Sequence, residues 1–179
     1  MRLLFIGGCK SGKSSTAQRI AKLLGENAPL YYWATMEPHD DEDLARIRRH
    51  IADRDGWGFT TVERARDLAA GLAAIAPAGT VLFDSITACL AAQMFDGSDM
   101  DMDAPRRVAA QIADISRHPA NFVCVCDGIF EGGEDYDPWT AAYVGGLAHI
   151  CRTLAVEFDV VCEMTMGLPH VWKGELPRA

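Results

Sequence analysis

The chain has 179 residues, 49% of them apolar, and carries a formal charge of -8. That length and apolar share suit one domain spanning residues 1–179 with its own core, and they exclude a disordered chain. The acidic balance argues against a nucleic-acid binder, which needs a basic face; no apolar run reaches membrane-spanning length, and Leu3 to Ile6 is too short for a signal peptide, so a cytoplasmic protein is expected.

Arg2 to Ile6 is predicted as a short buried strand and Gly7 to Gly12 as a loop. Ser14 to Leu24 places Ala17, Ile20, Ala21 and Leu24 at helical spacing, and Gly25 stands where helices end. Leu30 to Thr35 is a second strand. Asp40 to Asp53 is a polar helix with Leu44, Ile47 and Ile51 as its apolar line. Phe59 to Val62 is a short strand, and Arg64 to Ile75 a helix. Thr80 to Phe83 is a buried strand ending in Asp84, followed by a helix over Ile86 to Met94. The acidic, methionine-containing run Phe95 to Asp103 is a loop; its spacing is not that of a calcium loop. Ala104 to Arg117 is a helix, Phe122 to Cys126 a strand ending in Asp127, and Gly128 to Asp137 a loop. Pro138 suits the first turn of a helix reaching about Val156, and Val160 to Thr165 is the last clear strand. Strands alternating with helices predict an α/β fold, a three-layer sandwich with a mostly parallel central sheet.

Six cysteines stand at 9, 89, 124, 126, 151 and 162 without C-x-x-C or metal-ligand spacing, so neither zinc nor structural disulfides are expected. The four tryptophans read as core or interface residues. Glu163 falls inside a strand and needs a partner there.

The opening segment carries chemistry. Gly7-Gly8-Cys9-Lys10-Ser11-Gly12-Lys13-Ser14 is a full G-x-x-x-x-G-K-S, set between a predicted strand and a predicted helix. The glycines let the backbone turn tightly and aim N–H groups at one point, to which the helix adds its positive end. Lys13 would reach the β- and γ-phosphates of a nucleoside triphosphate, and the Ser14 hydroxyl would ligate Mg²⁺. A second element should supply a carboxylate for the metal. Val81-Leu82-Phe83-Asp84 is an apolar strand ending in Asp, and Asp127 after Phe122 to Cys126 is a similar candidate.

Arg46, His50 and Arg54 are spaced i, i+4, i+8, which lies along one helix face. Cationic neighbours favour the neutral imidazole, and a neutral imidazole beside bound phosphate can act as a nucleophile. Spacing alone leaves open whether His50 does so or is a solvated surface residue.

These motifs together resemble the adenosylcobinamide kinase / adenosylcobinamide-phosphate guanylyltransferase family. GGCKSGKS resembles that family's GGARSGKS, and YYWAT its Y-I-A-T strand. DDEDLARIRRHIADR resembles D-D-E-M-x-x-R-I-x-x-H-x-x-x-R without a gap. Thr61 to Glu63, Asp84 to Thr87, and Gly167 to Pro169 resemble its T-x-E, D/E-C-L/I-T and G-L-P motifs. The likeness is dense to about residue 90. Beyond it, Cys126 to Gly133 keeps a glycine-rich character without the family's Asn-Glu pair.

The resemblance implies a P-loop NTPase-like fold and two activities: phosphorylation of adenosylcobinamide with ATP or GTP, and transfer of GMP from GTP to adenosylcobinamide phosphate. It implies that His50 carries GMP covalently. It also implies that Ala34, Thr35, Glu63 and Asp84 join the P-loop residues, Ser15, Arg46 and Arg54 in the nucleotide site, and that the protein forms a homotrimer. Two other readings stay open: a P-loop kinase for another small molecule, and a non-catalytic nucleotide-binding protein. No N-K-x-D motif reads guanine, so the base rests on the resemblance.

Overall fold

The computed structural model describes residues 1–38, 40–52, 54–97, 99–129 and 135–178; within the second segment the side chains of Glu42, Asp43, Arg46 and His50 lie outside the description. The predicted helix end at Asp53, and half of the predicted loop from Gly128 to Asp137, therefore fall outside the described residues.

The strands are β1 (Arg2–Gly7), β2 (Leu30–Ala34), β3 (Phe59–Glu63), β4 (Thr80–Asp84), β5 (Phe95–Asp96), β6 (Asp99–Met100), β7 (Asn121–Asp127), β8 (Val160–Thr165) and β9 (Leu168–Lys173). The helices are α1 (Lys13–Leu24), α2 (Asp41–Ala52), α3 (Leu68–Gly71), α4 (Ile86–Met94), α5 (Ala104–Ile115) and α6 (Pro138–Glu157). Seven strands form one sheet in the order β3-β2-β4-β7-β1-β8-β9, parallel except for β9.

Strand alternation builds the three layers. Leu3 and Phe5 of β1 and Val123 and Val125 of β7 face α1, whose small Ala17 and Ala21 are fully buried and let the helix lie close. Leu4, Phe122, Cys124 and Cys126 point the other way, into the larger core formed with α4, α5 and α6. Both faces are covered, which is why these strands read as continuous apolar runs.

Three stretches differ from the sequence expectation. The helix expected over Arg64 to Ile75 is only α3 followed by a 3₁₀ turn, Leu72–Ala74. Residues 64–67 are claimed by the sheet: the Arg64 N–H donates to the Ala34 carbonyl (2.9 Å), and the Trp33 indole donates to the Arg64 carbonyl (2.8 Å). Asp67 then turns through φ 47°. Tertiary bonds override a helical pattern here. The expected loop at residues 95–103 contains a small antiparallel pair, β5 with β6.

The third difference is β9. All its residues are exposed, so no apolar alternation announced it. The hairpin turn is Met166-Gly167, both with φ above zero (51° and 82°), as a two-residue primed turn requires. Glu163 finds its partner across this hairpin, accepting from the Trp172 indole N–H at 2.9 Å. Of the tryptophans, Trp33 is wholly buried, whereas Trp139 and Trp172 are exposed.

Candidate active site

The site lies at the carboxyl ends of the parallel strands. The chain leaves β1 at Gly7, where a Cβ would come within 2.6 Å of the Met164 carbonyl and the Ser11 hydroxyl; only glycine fits. The loop closes with the Ser11 N–H donating to the Gly8 carbonyl (3.2 Å), and Gly12 enters α1 at φ 89°. Among the described residues no side chain caps α1, which leaves its first N–H groups to an anion. The β8–β9 turn braces the loop from outside: the Gly167 N–H donates to the Ser11 carbonyl at 2.9 Å. The G-L-P motif thus begins at the residue that supports the phosphate loop. The Ser11 hydroxyl is buried and has no hydrogen-bond partner among the described residues.

Sheet order decides which carboxylate stands where. β7 lies between β1 and β4, with Gly7 in register with Asp127. Asp127 therefore sits directly beside the loop, and Lys13 Nζ lies 2.6 Å from its Oδ1 and 3.1 Å from the Gly8 carbonyl. Asp84 sits one strand farther out and accepts from the Tyr32 hydroxyl at 3.0 Å. The Thr87 hydroxyl, on the first turn of α4, accepts from the Asp127 N–H at 2.9 Å.

Lys13, Ser14, Asp84 and Asp127 all line one cavity of about 670 Å³. Ala34, Glu63 and Thr61 contribute from the ends of β2 and β3. The opposite walls are apolar: Leu44, Ile47 and Ile51 of α2, Ala88, Ala91 and Ala92 of α4, and Phe95. The helix that carries position 50 thus forms one wall. The arrangement offers a polar seat for phosphates and an apolar chamber for the rest of a substrate. Ser14 and Asp84 present a hydroxyl and a carboxylate on the same cavity, the hard oxygen donors that Mg²⁺ takes. Among the described residues no group of three or more His, Cys, Asp or Glu could hold a metal alone. A bound Mg²⁺ would complete its shell with phosphate and water.

The other expected residues divide. Thr35 is 1% exposed, and its hydroxyl is spent on Ser85, accepting from the N–H (2.8 Å) and donating to the carbonyl (2.7 Å). It clips β2 to the β4–α4 junction beside Asp84. Arg46 and His50 belong to α2, but their side chains lie outside the described residues. Arg54 is past the helix, in the turn after Ala52, and not on the helical face expected from its spacing. It is 8% exposed, its guanidinium lies 3.4 Å from the Tyr32 ring centroid, and it lines the cavity.

Sequence reasoning missed Tyr32 and Thr87. Tyr32 sits in a strand where an aromatic residue needs no explanation beyond the core. Thr87 matters through a contact 40 residues away. Among the described residues no helix is long and apolar enough to cross a membrane.

The family described as cobinamide kinase / cobinamide phosphate guanyltransferase matches residues 3–171. The bifunctional adenosylcobalamin biosynthesis protein CobP of Pseudomonas aeruginosa is 30% identical over 176 residues, covering 98% of this chain and 99% of that protein. The bifunctional adenosylcobalamin biosynthesis protein CobU of Escherichia coli is 33% identical over 145 residues, covering 74% of this chain and 77% of that protein. Among solved structures, the PH0250 structure from Pyrococcus horikoshii aligns with a TM-score of 0.54 at 8% identity, over 97% of this chain and 86% of that one. That structural likeness concerns the fold alone.

Proposed function

The chain belongs to the cobinamide kinase / cobinamide phosphate guanyltransferase family, which makes it an enzyme of kinase and nucleotidyltransferase type, and we propose that it performs both steps on adenosylcobinamide and its phosphate during cobalamin assembly. ATP or GTP serves the first step and GTP the second. The observation that carries this reading is the convergence of Lys13, Ser14, Asp84 and Arg54 on one cavity, with the His50 helix as a wall.

In the kinase step, the acceptor hydroxyl attacks the γ-phosphorus of a triphosphate seated on residues 7–15. An O–P bond forms, the bond to the β,γ-bridging oxygen breaks, the nucleoside diphosphate leaves with the electron pair, and the hydroxyl proton passes to solvent. Lys13 offsets the charge that builds on the leaving oxygens. In the guanylyl step, a ring nitrogen of His50 attacks the α-phosphorus of GTP. An N–P bond forms, the bond to pyrophosphate breaks, and pyrophosphate leaves with the electron pair. The resulting phosphoramidate keeps enough transfer potential to pass GMP to the weakly nucleophilic phosphate of the acceptor. Arg46 and Arg54 steady the transferring phosphate and favour neutral His50. Mg²⁺ held through Ser14 and Asp84 would neutralise phosphate charge. Ala34 and Glu63 border the nucleoside, and Thr35 orients the Asp84 junction.

The test is labelling with α-³²P-GTP against γ-³²P-GTP, on the native protein and on His50→Ala. An acid-labile α-label that is lost in the variant is expected. Consumption of γ-phosphate with neither label retained would leave a kinase alone and remove His50 from the chemistry.

A further inference from the structure

Arg54 is almost fully enclosed, yet its Nη1 has no hydrogen-bond partner among the described residues. A buried cation is costly unless an anion or acceptors satisfy it. Stacking on the Tyr32 ring supplies attraction at one face of the guanidinium. It does nothing for the in-plane N–H groups of Nη1, which have no oxygen acceptor among the described residues. The surrounding turn is fixed by backbone bonds, the Arg54 N–H to the Ile51 carbonyl (3.1 Å) and the Trp57 N–H to the Arg54 carbonyl (3.0 Å). Arg54 faces the cavity that also holds Lys13.

Tyr32 makes a second connection. It is 6% exposed and its hydroxyl donates to Asp84 Oδ2 at 3.0 Å. One side chain therefore touches both the arginine and the carboxylate that line the cavity. We infer that Tyr32 is a positioning residue for the nucleotide: its ring holds the Arg54 guanidinium as a receptor for phosphate oxygen, and its hydroxyl sets the Asp84 carboxylate. The inference rests on the proposed triphosphate site and goes beyond it in assigning Tyr32 two separable tasks. Phenylalanine would keep the platform and lose the Asp84 bond; leucine would lose both.

The test is calorimetric binding of the non-hydrolysable β,γ-methylene analogue of GTP, first in EDTA and then along a Mg²⁺ titration. Tyr32→Phe is expected to bind within about twofold of the native protein without metal, because the stacking face survives. Its Mg²⁺ requirement for half-maximal tightening should rise by about tenfold or more, the loss of one hydrogen bond to a charged group. Tyr32→Leu and Arg54→Ala should each lose about tenfold or more in EDTA, the effect of an unmade charge-assisted contact to phosphate. The double variant should be no weaker than Arg54→Ala, since both changes remove one interaction. Additive losses, or native affinity for Tyr32→Leu in EDTA, would overturn the inference. If Tyr32→Leu does not fold, the Tyr32→Phe titration decides: an unchanged Mg²⁺ requirement overturns the hydroxyl's task. A native protein that shows this binding pattern but takes no α-label at His50 would defeat the guanylyl reading and leave the role of Tyr32 standing.

Discussion

Lys13 Nζ and Asp127 Oδ1 stand 2.6 Å apart, and the register of β1 with β7 imposes this closeness. An incoming phosphate therefore competes with a carboxylate for the lysine of the loop. Asp127→Asn is expected to tighten metal-free triphosphate binding by about tenfold, because a like charge beside the phosphates is removed. It should also lower unfolding stability by about 1–3 kcal/mol, since the largely buried lysine loses its counter-charge and keeps only neutral oxygen acceptors. Calorimetry and urea melts read the two effects. Weaker binding in the variant would mean that Asp127 contributes to nucleotide binding.

Thr35 spends its hydroxyl on both polar groups of Ser85, the residue after Asp84 and the cap of α4. Thr35→Val keeps the shape and strands the part-buried Ser85 N–H, while the Ser85 carbonyl still accepts from the Cys89 N–H. A loss of about 1–3 kcal/mol is expected, with a raised Mg²⁺ requirement for nucleotide binding. An unchanged melt would show that the clip contributes nothing.

The cysteines differ in reach. Cys9 is exposed on the loop, whereas the other five are buried. Burial pushes the Cys89 thiol up to about 12 and the Cys124 thiol well above its ordinary value. A hydrogen bond with Cys151, followed by burial, does the same for Cys126. Ellman's reagent at pH 8 should modify one thiol of the native protein quickly and six after denaturation, and bound GTP should protect the fast one. Rapid modification of several native thiols would contradict this burial. The unfolded chain loses thiol protons first, so the stability these neutral thiols confer is whole below about pH 8.5 and falls as pH rises above it. Urea melts between pH 7 and 10 test the sign.

Met166, Leu168 and Trp172 are 92%, 72% and 67% exposed on the edge hairpin. The homotrimer that the family resemblance implies is expected to cover this edge with a second copy of the chain. Light scattering after gel filtration should give three times the chain mass, and Trp172→Glu should reduce it. A monomeric native protein would reject the trimer.

Much of the fold was legible because its signals are local. The apolar runs at Leu3, Val81 and Phe122 demand strands buried on both sides, and Pro138 and Gly25 mark helix ends. The residues 64–67 misled because Trp33 and the Ala34 carbonyl capture them from another strand. β9 was silent because a strand with no buried face leaves no alternation.

The loop from Gly7 to Ser14 was decided by sequence alone: glycine spacing, Lys13 and Ser14 specify a phosphate seat wherever strand and helix flank them. Which carboxylate meets Lys13, and that Arg54 leaves its helix to lie on Tyr32, were decided only by tertiary structure. Strand order and register bring residues far apart in the chain into contact, and no local pattern encodes which strand will insert beside β1.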